Sequence, residues 1–275
     1  MDPLTIAIIV AVFTLIVLFS GIPIAFGLSF VSITLLVTFE GLQMLGVFAE
    51  TFYAGLNSFV LLSIPMFILM GMAVAHSPAG KDLYTGLDRW LWRVPGGLVI
   101  SNIGACSIFA ALSGSSPATC AAIGTMGIPE MRKRGYSDEI ATGTIAAGGT
   151  LGVLIPPSIV LIVYGMATGT SIGRLFLSGI IPGFMLASLF AVWALIHSYF
   201  IDKNASKLLR NRKPPTLKEK FEVLPRIFPF LAIIVGVLYV LYGGVATPSE
   251  ASGVGAFLVF VMIAVVYKIY QPKKI

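Results

Sequence analysis

The sequence predicts an all-α polytopic membrane protein, and three observations predict it. Of its 275 residues, 57% are hydrophobic and only 11% charged, whereas a soluble domain carries about 25% charged residues. The apolar residues come in repeated runs of nearly membrane-spanning length, parted by short polar loops. The eighteen Lys and Arg residues behind the net charge of +6 fall almost entirely between those runs. That is positive-inside patterning, not a nucleic-acid face, so the expected surround is a lipid bilayer and nucleic acid is not an expected partner.

The runs cover residues 4–19, 22–39, 59–75, 98–128, 140–167, 175–201, 227–242 and 251–267. The opening MDPLTIAIIV lacks a basic stretch and a small-residue cleavage site, so no cleaved signal peptide is expected. Lys203, Lys207, Arg210, Arg212, Lys213, Lys218, Lys220 and Arg226 share one loop, which marks the cytoplasmic side. Forward from it, one run leads outward, GGVATPSE turns outside, and the last returns to Lys268, Lys273 and Lys274.

Backward, the runs 175–201 and 140–167 lead to EMRKRGYSDE, which is inside, as its Arg132, Lys133 and Arg134 require. The preceding loop carries Lys81, Arg89 and Arg93 and belongs inside too. The run 98–128 must therefore enter and leave by one face. Two spans of about 20 residues do not fit in it, and SGSSP at residues 113–117 interrupts it. A re-entrant helical hairpin with its tip inside the membrane is the expectation, tolerable where protein or a water-filled cavity satisfies the tip's backbone. Before it, 59–75 runs inward, 40–57 forms an external loop, and the first two runs pair around SGIP with the N-terminus outside.

The run 140–167 contains GGTLGVLIPPS at residues 148–158. Proline removes a backbone donor and glycine tolerates unusual dihedrals, so this helix is expected to be broken and unwound there. Discontinuous helices at the midplane point to binding sites in secondary transporters. Half-helix C-termini and free carbonyls suit a cation; half-helix N-termini suit an anion. Ser113, Ser115, Ser116 and Thr119 add hydroxyls, and Gly114 lets a ligand approach the main chain. Gly148, Gly149, Thr150, Pro156, Pro157 and Ser158 supply the facing segment. The competing reading is that small residues only let helices pack and prolines only kink them.

Other chemistries lack their residues. Cys106 and Cys120 have no His or carboxylate at metal-ligand spacing and read as packing residues. The tip serines have no His or Lys base beside them, so no catalytic residue and no enzyme is expected. No P-loop is present, and no acidic or basic residue lies deep in a run to serve as a charged proton relay.

At these residues the sequence resembles the large, dicarboxylate-type membrane subunit of the tripartite ATP-independent periplasmic (TRAP) transporters. The matching stretches are FSGIPIAFGLS from Phe19, LNSFVLLSIPMFILMG from Leu56, FAALSGSSPATCAAIGTMGIPEM from Phe109, GGTLGVLIPPSIVLIVYG from Gly148 and GGVATPSEASGVGA from Gly243. The resemblance implies an elevator-type carrier of the bacterial inner membrane, coupling sodium entry to uptake of organic acids such as dicarboxylates or sialic acid. It implies two partners, a small four-helix membrane subunit and a periplasmic substrate-binding protein. No cofactor is implied beyond sodium as coupling ion, with Ser113, Ser115, Gly148 and Thr150 in the region expected around it.

The organisation that follows is scaffold-type helices over 1–75, a cytoplasmic connector over 76–96, and a transport-type region with hairpin and broken helix over 97–170. A transmembrane helix covers 171–201 and the basic cytoplasmic loop 202–226. Residues 227–275 begin a second inverted repeat, because the first helix, SGIP and the next helix are echoed there by GGVATP and its flanks, running oppositely. The family subunit has two such repeats and a second hairpin, so the chain reads as a truncation, a fragment or one piece of a split subunit. The alternative function is a non-transporting assembly or scaffold protein derived from such a permease.

Overall fold

The computed structural model describes residues 2–94, 96–200, 214–222 and 224–269. All regular structure among them is helical, and the chain divides into two compact units at Ser58 and Phe59.

The first unit holds α1 (Pro3–Phe19), α2 (Ile24–Glu40) and α3 (Met44–Leu56). Gly21 turns the chain between the first two with φ +80°. Gly27 then lets α2 approach Val17, and Phe13 meets Phe30 at 6.2 Å between ring centroids. Val17, Gly27 and Val31 are the buried residues of α1 and α2, while Leu4, Phe19 and Phe26 stand exposed. The sequence reading left residues 40–57 as a loop; the structure winds most of it into α3, which buries none of its residues.

The second unit begins with a 3-10 turn at Phe59–Leu62 leading into α4 (Ser63–His76), followed by α5 (Ala79–Trp90). Next come α6 (Gly97–Ser113), α7 (Ser116–Lys133), α8 (Asp138–Leu154), α9 (Ile159–Thr168) and α10 (Ile172–Phe200). The basic loop lies outside the described residues up to 213. After it come α11 (Leu217–Glu222), α12 (Leu224–Tyr242) and α13 (Pro248–Tyr267).

Helix α6 is the axis of this unit, burying thirteen of its seventeen residues, with Ala105, Cys106, Phe109 and Ala110 wholly enclosed. It packs against α4, α5, α7, α8 and α10. Its neighbours come close because they present glycine. A Cβ at Gly71 of α4 would lie 2.6 Å from Ser113, and one at Gly148 of α8 would lie 2.9 Å from Cys106. Such approaches are the way apolar helices gain dispersion contact where no water is left to expel.

Polar bonds concentrate at one end of the unit. Arg134, the C-cap of α7, grips Asp88 of α5 through two bonds of 3.0 and 3.1 Å and Glu130 through bonds of 2.6 and 2.9 Å. Tyr267, closing α13, donates to Asp82 at 3.0 Å. At the opposite end, Ser249 donates to the Phe59 carbonyl at 2.7 Å, and α13 starts on a capping box of Thr247 and Glu250. Among the described residues, four stretches are long and apolar enough to cross a membrane: Phe59–His76, Asp138–Thr168, Ile172–His197 and Pro248–Tyr267.

Candidate functional site: two helix breaks docked together

The chain between α6 and α7 is two residues long. Gly114 caps α6 in the left-handed conformation, φ +59°, and Ser115 caps α7, accepting from the Ala118 amide at 3.5 Å. The chain between α8 and α9 is residues 155–158, with a cis bond joining Pro156 and Pro157, and Ser158 caps α9 by accepting from Leu161 at 3.4 Å. These two breaks touch. The Ile159 amide donates to the Gly114 carbonyl at 3.0 Å, and a Cβ on Gly114 would stand 2.6 Å from the Pro157 carbonyl oxygen. Two helix C-termini and two N-termini therefore share one neighbourhood, carrying partial negative and partial positive charge respectively.

Proline explains why this neighbourhood holds free oxygens. A helical carbonyl accepts from the amide four residues on, and proline has none. Pro117 thus deprives Ser113 of its donor, Pro156 deprives Gly152 and Pro157 deprives Val153. No replacement backbone donor reaches these three carbonyls among the described residues. Gly152 lies against the tip: a Cβ there would fall 2.7 Å from the Ser116 amide nitrogen and 3.0 Å from the Ser115 carbonyl.

The tip hydroxyls bond mainly to one another. Ser113 Oγ lies 3.1 Å from Thr119 Oγ1, which donates to the Ser115 carbonyl at 2.8 Å. The Ser116 hydroxyl oxygen is buried with no partner among the described residues. An unmet buried hydroxyl costs about 1–3 kcal/mol, so this is a polar side-chain atom at the tip that no described residue employs. No Asp, Glu, Lys, Arg or His occurs in residues 98–128 or 140–167; backbone dipoles and neutral oxygens set the field here.

The expected site residues separate accordingly. Ser113, Gly114, Ser115, Ser116 and Thr119 stand together with Pro156, Pro157 and Ser158 around the docked breaks. The expected unwinding from Gly148 does not occur. Gly148, Gly149 and Thr150 are helical, because two glycines cost a helix only about 1 kcal/mol each and here they admit neighbours. Gly148 faces Cys106, Gly149 faces Cys120 beside Ser116, and Thr150 is exposed, its hydroxyl donating to Ala147 at 2.6 Å. Gly149 thus reaches the tip; Gly148 and Thr150 do not join the cluster.

A family model described as the tripartite ATP-independent periplasmic transporter, DctM component, matches residues 9–275. The chain belongs to this family. It is a multi-pass membrane protein of the TRAP large-permease type. It is 38% identical over 254 residues to the C4-dicarboxylate TRAP transporter large permease protein of Vibrio cholerae, covering 92% of this chain and 54% of that protein. The sialic acid TRAP large permease of the same organism is 32% identical, covering 91% of this chain and 57% of that protein. The isethionate TRAP permease of Oleidesulfovibrio alaskensis is 36% identical over 86% of this chain and 36% of that protein. The chain spans about half the length of the first two relatives and about a third of the isethionate permease.

Within this TRAP permease the sequence reading missed Gly152 and the carbonyl of Val153. The signal was available, since both lie four residues before a proline. Gly71, which seats α4 on Ser113, had no comparable signature.

Proposed function

We propose that this chain forms one half of the translocation core of a secondary active, sodium-coupled importer of small organic acids in the bacterial inner membrane. It works there with a small membrane subunit and a periplasmic substrate-binding protein, by an elevator-type movement. The observation that carries the reading is the docking of the α6–α7 tip on the α8–α9 break. It gathers free carbonyls for a hard cation and helix N-termini for an anionic group without burying any net charge. Hard cations take several oxygen ligands; Ser113, Ser115 and Ser116 offer them, with Gly149 and Gly152 of α8 lying against the tip.

The same proposal makes α6 and α7 a re-entrant pair. Seventeen residues of α6 rise about 25 Å at 1.5 Å each, short of a hydrocarbon core of about 30 Å. Three of the relatives are named for a dicarboxylate, a sialic acid and isethionate, which are anionic, and a fourth for ectoine, which carries a carboxylate; a site whose positive character comes from the α7 and α9 N-termini suits that shared acidic group.

Ser116→Ala in the complete transporter separates binding from packing. A merely structural hydroxyl without a partner is a burden, so its removal leaves stability unchanged or raises it. If it serves an ion, the sodium concentration for half-maximal uptake in proteoliposomes rises several-fold at equal expression. Ser115→Ala gives the same rise with about 1 kcal/mol lost through the missing cap. Sodium dependence unaltered in both variants would leave the tip as packing alone.

A further inference from the structure

The second unit carries, away from the docked breaks, a surface the transport reading does not use. Helix α11 lies against α5 at the end where Arg134 and Tyr267 also bind α5. Arg89 donates to the Glu219 carbonyl at 2.6 Å, and Trp90 meets Phe221 edge to face, with ring centroids 5.7 Å apart. Two cations then stand over two indoles: Lys220 lies 5.8 Å from the Trp90 ring and Arg93 lies 5.2 Å from that of Trp92.

The charges on this surface are unequally committed. Glu219 receives the Thr216 amide at 2.7 Å, Glu222 lies 3.9 Å from Arg89, and Asp88 belongs to Arg134. Arg93, Lys218 and Lys220 have no carboxylate of a described residue within ion-pair distance. Beside these three cations, Trp90, Phe221 and Leu217 are 49%, 53% and 74% exposed. Cations and open aromatic surface are thus contiguous, at the level where the apolar helices α12 and α13 begin and end.

We infer that the α5–α11 surface binds the headgroup of an anionic phospholipid, with Arg93, Lys218 and Lys220 on the phosphate and Trp90, Phe221 and Leu217 against the glycerol and upper acyl chain. Indole rings favour the boundary between headgroup and hydrocarbon, and long basic side chains reach from that boundary to phosphate. A soluble acidic partner would satisfy the cations but leave the rings in water. A phospholipid satisfies both, and each Lys or Arg at an anionic membrane surface contributes about five-fold in affinity.

The test uses the full chain with Trp193→Phe, so that Trp90 and Trp92 report alone. It is reconstituted in phosphatidylcholine vesicles containing equal minor fractions of brominated phosphatidylglycerol or brominated phosphatidylcholine. Brominated phosphatidylglycerol is expected to quench several-fold more strongly at equal mole fraction. Arg93→Gln with Lys218→Gln and Lys220→Gln removes that preference while quenching by the neutral lipid persists. Arg132→Gln, a cation paired with Asp138, leaves the preference intact. Equal quenching by the two lipids overturns the inference. So does an equal loss in the Arg132 variant, which would mark a diffuse field, or suppression by soluble glycerol phosphate, which would mark a free-phosphate site.

Discussion

Gly114→Ala tests the docking of the two helix breaks, and Gly169→Ala is its control. Both glycines cap helices in the left-handed region, with φ +59° and +67°. An alanine pays about 1–2 kcal/mol for that conformation at either place. The surroundings differ. A Cβ at 169 meets nothing within 4 Å, whereas one at 114 lies 2.6 Å from the Pro157 carbonyl oxygen. Alanine at 114 must push residues 157–159 away and give up the bond from the Ile159 amide, a further loss of about 1–3 kcal/mol. At about 2–4 °C per kcal/mol for a unit of this size, Gly114→Ala should melt several degrees below Gly169→Ala in the same detergent. Hydrogen exchange at the Ile159 amide should quicken in the first variant only. Equal melting temperatures with an unchanged Ile159 amide would refute the docking.

Two other outcomes follow from the packing. In α8, Gly143 faces open space and Gly152 faces the Ser115–Ser116 backbone, so Gly143→Ala should stabilise by about 0.5–1 kcal/mol through helix propensity while Gly152→Ala destabilises; thermal denaturation with both signs alike would contradict the contact. Burial acts to lower the Arg134 pKa, but its bonds to Asp88 and Glu130 outweigh that and keep the guanidinium charged. Arg134→Gln therefore takes the shared guanidinium from the buried Asp88 and the half-buried Glu130 and should cost about 3 kcal/mol, with part regained on adding Asp88→Asn; a loss below 1 kcal/mol would show that the grip is dispensable.

Much of this arrangement was legible because proline and glycine act locally. The first break falls at SGSSP, and the second is confined to residues 155–158, the proline end of the 148–158 segment expected to unwind. The connector expected over 76–96 instead contains a helix, α5, because its charges mark a side of the membrane and not a conformation. What was not legible depends on neighbours. Glycine at 148 and 149 is compatible with an unwound segment and with a close helix crossing, and only the presence of Cys106 and Cys120 across the interface decides for the helix. Residues 44–56 contain no proline, but a thirteen-residue stretch with Glu50 is shorter than a span, and length alone cannot tell a short helix from a loop.

The site's geometry also follows from a rule that reads directly from sequence. A proline at position n orphans the carbonyl at n−4, so prolines 117, 156 and 157 name Ser113, Gly152 and Val153 before any coordinates are known. Folding then brings the two segments that carry them into contact, because Gly114 lets the first break dock on the second and Gly152 lets α8 reach the tip. Glycine sets how near the segments come, proline sets which oxygens are free when they meet, and the Ser116 hydroxyl is left without a partner between them. A substitution that keeps the prolines but adds a Cβ at 114 or 152 should therefore retain the free carbonyls and scatter them, losing ion binding while the helices themselves persist.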